Sequence, residues 1–203
     1  MTGLVPIVLW FAAICIQDLV PSGDARPIVD NERVTVWDVT WTANTQPIRH
    51  QHDFVRVFVT GGTSSKKPGD VEFSRMGTAK KAGSGARTIE TELKDHPVAP
   101  LPNTSGYPDA FPRPGVKKLI DNSRVTIWDV TWLPGVTTPM HFHGYDAIAV
   151  YLQDGALKAV TADGHGVVNE YFPGFTKFNP RNRIHSEQLV TGGSERAIVV
   201  DLK

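Results

Sequence analysis

The sequence predicts an all-β protein made of two related lobes, each a barrel or sandwich of short strands, with the first copy shortened. Three observations carry that expectation. Residues 28–41, IVDNERVTVWDVTW, recur as residues 119–132, LIDNSRVTIWDVTW, and a match this long at one offset points to a duplicated unit. Short runs of alternating apolar and polar residues, bounded by Gly and Pro, fill both halves. No stretch repeats its apolar residues at helical spacing.

Composition narrows the class. With 203 residues, 21 basic against 21 acidic side chains and 40% hydrophobic content, the chain is long enough for one or two compact lobes and too neutral to suggest a nucleic-acid partner. The pairs Lys66-Lys67, Lys80-Lys81 and Lys117-Lys118 read as solvated loop charges. Residues 4–16, LVPIVLWFAAICI, form an apolar run too short to span a bilayer comfortably, with small residues following at Gly23 and Ala25. Residues 1–25 are therefore read as a signal peptide, which places the mature protein outside the cytoplasm, secreted or periplasmic, with no stable membrane anchor. Cleavage would remove Cys15, the one cysteine. A mature chain without cysteine has no thiol nucleophile, thiolate ligand or disulfide.

The first lobe is assigned to residues 26–95. Val34 and Val36, like their counterparts Val125 and Ile127, alternate with polar neighbours as in a half-buried strand. Trp37 with Trp41, and Trp128 with Trp132, each lie on one strand face and read as core or lobe-interface packing. Aligning DFVRVFVTGG (53–62) with DAIAVYLQDG (146–155) brings His50 onto His143 and Ile48 onto His141. No later histidine follows in this lobe, and the hairpin carrying the counterpart of His185 is read as lost. The lobe is expected to be a structural partner without a metal. Gly83-Ser84-Gly85 is a turn that lacks the Lys-Ser/Thr of a phosphate loop. Residues 96–116, dense in proline and small polar residues, form an extended linker pinned by Tyr107 and Phe111, with His96 at the surface.

The second lobe, residues 117–203, reads as strands near 124–132, 147–153, 156–161, 167–172, 175–178, 184–190 and 195–202. Residues i and i+2 of a strand share a face, so His141 and His143 offer two imidazoles to one point. His185, in another strand-like run, supplies a third. The pattern Gly135, His141, His143, Ile148, Gly155 and the pattern Gly174, Pro180, Asn182, His185, Leu189 resemble the two sequence motifs of the cupins, with every spacing kept. The resemblance implies a double-stranded β-helix (jelly-roll) barrel, duplicated as in bicupins. Asn182 replaces a motif glycine, a mild change because Asn tolerates the left-handed turn conformation. Ile148 replaces the motif glutamate, so the resemblance implies a three-His site without its usual carboxylate.

Three neutral imidazoles leave coordination positions open on one divalent transition metal, and imidazole suits Fe, Mn, Zn, Ni or Cu without selecting among them. Glu187, two residues from His185, is the first candidate acid/base carboxylate or replacement ligand. Asp146 is the second, if a bulge after His143 turns it inward. Met140, Phe142, Tyr145, Tyr151, Phe172 and Phe178 are candidates to line an apolar pocket, and His165 reads as a loop residue. The resemblance implies a metal-dependent enzyme acting on a small molecule, with dioxygenase-type chemistry leading. An exported ligand-binding or scaffold protein, and an isomerase or lyase using a His/Glu pair, are the alternatives. Single-barrel relatives dimerise by the same resemblance, whereas two lobes can satisfy that interface within one chain.

Overall fold

The computed structural model describes residues 27–190 and 193–203; the expected signal segment 1–25 lies outside the described residues. Every regular element described is a strand. The first lobe holds β1 (Pro27–Asp30), β2 (Val34–Thr40), β3 (Ile48–Arg49), β4 (Phe54–Gly61), β5 (Val71–Ser74), β6 (Ala79–Lys80) and β7 (Ala86–Leu93). The second holds β8 (Val116–Asp121), β9 (Val125–Trp132), β10 (His141–His143), β11 (Asp146–Tyr151), β12 (Gly155–Thr161), β13 (Gly166–Tyr171), β14 (Thr176–Asn179), β15 (Arg183–Leu189) and β16 (Glu195–Leu202).

The sheets repeat the sequence duplication. The first lobe's large sheet runs β1-β2-β7-β4-β5 and the second's runs β8-β9-β16-β11-β14, the same order of equivalent strands. Behind the second lies the four-stranded sheet β10-β15-β12-β13, and behind the first only the pair β3-β6. One expectation is corrected here. The strand equivalent to β15 is present as β6, and Lys80 stands opposite Ile48 as His185 stands opposite His141. What the first lobe lacks is the β12–β13 hairpin, replaced by the loop between β4 and β5.

Strand alternation divides the apolar residues among three cores. Val34, Val36, Val55, Val57 and Ile89 of the first lobe meet Val125, Ile127, Ile148, Val150, Ile198 and Val200 of the second in one cluster between the large sheets. Residues of opposite parity fill the barrel interiors: Trp37, Val39 and Trp41 in the first lobe, Trp128, Val130 and Trp132 in the second. The tryptophan pairs therefore face the barrel interiors and not the lobe interface. Paired clasps flank the shared core. Arg87 forks onto Asp38 and donates to the Pro173 carbonyl across the interface, while Arg196 forks onto Asp129 and donates to the Pro68 carbonyl.

Because one core belongs to both lobes, they should unfold together. Ile148→Ala, at a fully buried position of that core, is expected to cost about 2–5 kcal/mol. Urea unfolding followed by near- and far-ultraviolet circular dichroism should give one shifted, coincident transition; two separated transitions would show that the lobes fold independently.

Candidate metal centre

β10 and β15 pair antiparallel, His141 opposite His185 and His143 opposite Arg183, so these four side chains share one face. That face is turned into the second barrel, and all three histidines are buried. The turn into β15 is set by Asn182, which has φ 67° and donates its amide to the His143 carbonyl, 2.8 Å. It is the one non-glycine residue with positive φ among the described residues, in keeping with the tolerance expected of Asn at that motif position.

The imidazoles converge. One ring nitrogen from each of the three lies within 4.8 Å of the other two, and Nε2 of His143 is 3.1 Å from Nε2 of His185. Nδ1–H of His141 donates to the Pro139 carbonyl, 2.7 Å, which leaves Nε2 with the lone pair. Burial, aided by the charges of Arg113 and Arg183, lowers the pKa of His141 and His143 below the usual range. Burial likewise takes His185 down to about 4, against the opposing pull of Glu187. At neutral pH the three rings are neutral, as metal ligands must be. A nitrogen–nitrogen separation of 3.1 Å is one that two imidazoles sharing an ion at about 2.0–2.1 Å each can adopt. The residues present fit a transition metal.

Glu187 lies on the same face of β15, its Oε1 3.8 Å from His185 Nε2. Its other oxygen accepts from Trp132 Nε1–H, 2.9 Å, and from Arg113 Nη2, 3.5 Å. Burial raises the Glu187 pKa, but attraction to His185 and His141 once these rings protonate in acid, attraction to the Arg113 charge and the Trp132 bond make the net shift downward, so the carboxylate is ionised at neutral pH. Arg113 comes from the proline-rich segment before β8, and its Nη1 lies 3.2 Å from His141 Nε2. That segment is more than a spacer. The Leu101 amide donates to Gly144, the Ala110 amide to Phe142 and the Phe142 amide to Pro108, laying the chain along β10. Phe111 then enters between Trp128 (centroids 5.0 Å) and His143 (6.0 Å).

Asp146 is placed elsewhere. Its Oδ2 accepts from Arg33 Nη1 of the first lobe, 2.6 Å, and its Oδ1 from the Arg181 amide, 2.8 Å, which makes it an interlobe clasp. Ile148 also departs from its motif role, for it points into the core between the lobes. Strand alternation carried on from His141 and His143 turns Ala147 and Ala149 inward and Ile148 outward. An alanine, not an isoleucine, stands over the space a motif carboxylate would fill, and Glu187 reaches the cavity from the other sheet.

His143 and His185 face a cavity of about 100 Å³ lined by Trp132, Tyr151, Tyr171, Arg113, Arg183 and Glu187 among others. Beyond Phe111 lies a larger cleft of about 400 Å³, which His143 and Phe111 also border. The acid Asp121 of that cleft is paired with Lys118 and Lys203. His185 and Glu187 open onto the smaller cavity and not onto the larger cleft. Of the apolar pocket candidates, only Tyr151 lines it. Phe142 and Tyr145 border the larger cleft, Phe178 packs against the interlobe core, Phe172 is half exposed, and Met140 lines neither cavity. Arg183 and Trp132 were missed as site residues although strand alternation from His185 and Trp128 points to both. Arg113, in an irregular segment, carries no such signal.

No family model matches the chain. Over 60 residues it is 38% identical to the beta-alanine degradation protein BauB of Pseudomonas aeruginosa, a match covering 30% of this chain and 59% of that protein. Among solved structures it is similar to AerE from Microcystis aeruginosa (TM-score 0.58, 13% identity, 88% of this chain and 97% of that one). It is also similar to a cupin 2 conserved barrel domain protein from Leptotrichia buccalis (TM-score 0.53, 13% identity, 88% of each chain). A mutant of Bacillus subtilis oxalate decarboxylase OxdC gives TM-score 0.57 at 11% identity, over 85% of this chain and 70% of that one. With duplicated large sheets around a shared core and a three-histidine cluster inside one barrel, the chain has the double-stranded β-helix fold of the cupin superfamily.

Proposed function

We propose that the second lobe is a metal-dependent enzyme acting on a small molecule, with dioxygenase-type chemistry. The observation that carries this reading is the neutral trio His141, His143 and His185, two of which, His143 and His185, open together with the ionised Glu187 onto one cavity. A purely structural ion needs neither an adjoining cavity nor a carboxylate held beside it, and structural sites are usually closed by four protein ligands. A first-row ion held by the three rings would supply Lewis acidity or redox capacity at its open positions.

The remaining roles fall to the chain itself. The Pro139 carbonyl fixes the His141 tautomer and ring orientation. Glu187, 3.8 Å from His185, is placed to take a proton from a substrate atom beside the centre and to return it. Trp132 and Arg113 position that carboxylate and keep it charged. Phe111 and the segment around it limit access of water from the larger cleft. BauB is named for degradation of a small amino acid, which agrees with small-molecule chemistry here.

Glu187 also favours a second reading, an isomerase or lyase in which this carboxylate shuttles the proton and oxygen takes no part. One experiment separates the two. Protein loaded in turn with Fe, Mn, Zn, Ni and Cu is screened against small organic compounds, following oxygen uptake and substrate loss together. Dioxygenase chemistry predicts oxygen uptake matched to substrate loss with a redox-active ion, abolished by a chelator and lowered roughly 100-fold or more in Glu187→Gln. Substrate loss without oxygen uptake selects the isomerase or lyase. Turnover that survives complete metal removal overturns the metalloenzyme reading.

A further inference from the structure

The cavity beside the three histidines carries an unmatched positive charge. Arg113 is engaged with Glu187, but Arg183 and Lys177 have no carboxylate within ion-pair distance among the described residues. Arg183 spends one donor, Nε–H, on the Pro180 carbonyl, 3.1 Å, and its two terminal nitrogens make no hydrogen bond among the described residues. Strand register puts these groups on the inner face. Arg183 is opposite His143, Lys177 opposite Ala149 and Asn179 opposite Ala147, and both alanines belong to the interior cluster. Asn179, buried, and Asn169, half-buried, also line the cavity, with no hydrogen bond from either side-chain amide among the described residues. Lys177 is exposed and sits at the mouth.

Cations and amides that face an open cavity without protein partners are satisfied there by water, and an anion of matching shape can take that water's place. Here Arg183, Asn169 and Asn179, with the exposed Lys177 at the mouth, line a space of about 100 Å³ together with apolar side chains from both sheets, Val130, Ala149, Ala159 and Val199. We infer that the cavity binds a small organic carboxylate, its oxygens received by Arg183 and Lys177 with the Asn169 and Asn179 amides, and its carbon frame against these apolar side chains. The planar fork of Arg183 suits a carboxylate's two oxygens, and the apolar side chains disfavour an inorganic anion that would leave them wet. A liquid-water share is about 30 Å³, so the space fits a ligand of only a few heavy atoms. This substrate class rests on the enzymatic reading above, but the anion site itself needs only the chain's own side chains.

The test is calorimetric titration of the protein, both stripped of metal and metal-loaded, with propionate, its neutral isostere propionamide and inorganic phosphate. Propionate should bind at least roughly tenfold more tightly than propionamide, with phosphate weaker than propionate. Arg183→Gln should weaken propionate by roughly tenfold or more and leave propionamide unchanged. Lys177→Gln, at an exposed position where folding is not at risk, should show a smaller loss of the same selectivity. Equal affinity for propionate and propionamide, tighter binding of phosphate, unaltered selectivity in Lys177→Gln, or no propionate binding in either form overturns the inference. Selective binding by protein that takes up no metal would instead remove the metalloenzyme reading and leave the carboxylate site standing.

Discussion

Glu90→Gln is expected to destabilise the protein by roughly 3–5 kcal/mol, because it strips the counter-charge from two buried cations at once. Glu90 is fully buried in the first lobe. One oxygen accepts from Arg56 Nε, 2.8 Å, and from Thr88 Oγ1, 3.0 Å; the other meets His50 Nε2 at 2.7 Å. Arg56 is itself buried and lies over Trp41, 4.9 Å from the ring centre, and also near Glu72. Glu92 approaches His50 Nδ1 at 3.9 Å. Burial pulls the His50 pKa down, but the bonds and charges of Glu90 and Glu92 more than offset it, so the net shift is upward. Burial pushes Glu90 up, but His50 and Arg56 prevail and the net shift is downward.

The signs set the pH window. The His50 contribution is fully present below the unfolded value of 6.5 and is lost as pH rises through the higher folded value. The Glu90 contribution is present above the unfolded value of 4.5 and is lost as pH falls through the lower folded value. Urea unfolding across pH should therefore show a plateau between those limits in the wild type and a lower, flatter profile in Glu90→Gln. An unchanged midpoint at neutral pH would contradict the network's role. In the second lobe the strand positions of Arg56 and Glu90 are held by Ala149 and Val199, both lining the cavity. The ion pair fills in one barrel the interior space that the other leaves open. Arg56→Ala with Glu90→Val is accordingly expected to recover part of the stability lost in Glu90→Gln.

The second large effect concerns the histidines. His143→Ala or His185→Ala is expected to weaken metal binding by at least roughly 100-fold, more than the loss typical of an outer partner, and to abolish metal-dependent turnover. Both rings are neutral and meet each other rather than a network that holds the barrel together, so the metal-free variants should melt close to the wild type. Equilibrium dialysis against the ion, beside a thermal melt of the stripped protein, separates the two quantities. A large loss of melting temperature with metal affinity intact would make these histidines structural.

Local patterns made much of this legible. The repeated IVDNERVTVWDVTW segment foretold the paired large sheets, since alternation fixes which residues meet between the lobes. The His-x-His pair on one strand and His185 on its neighbour foretold the cluster because period-two geometry leaves those rings little freedom. Ile148 was matched to the motif glutamate by spacing alone, although alternation from His143 turns it away from the histidines' face. Other failures came from long-range contacts and from chain outside regular strand. Asp146 finds Arg33, a partner more than a hundred residues away that no local spacing reveals. Arg113 and Phe111 reach the site from a proline-rich segment that reads only as linker, and the interlobe core rather than that segment sets how the lobes meet.

The most direct test of a metal centre in the second lobe alone is metal content by mass spectrometry, on protein purified without chelators or a histidine-rich tag. The arrangement predicts one transition-metal ion per chain, lost in the His141→Ala/His185→Ala double variant and kept in His50→Ala, since Ile48 and Lys80 deny the first lobe two of its three ligand positions. Two ions per chain, or an ion that the double variant retains, would contradict it.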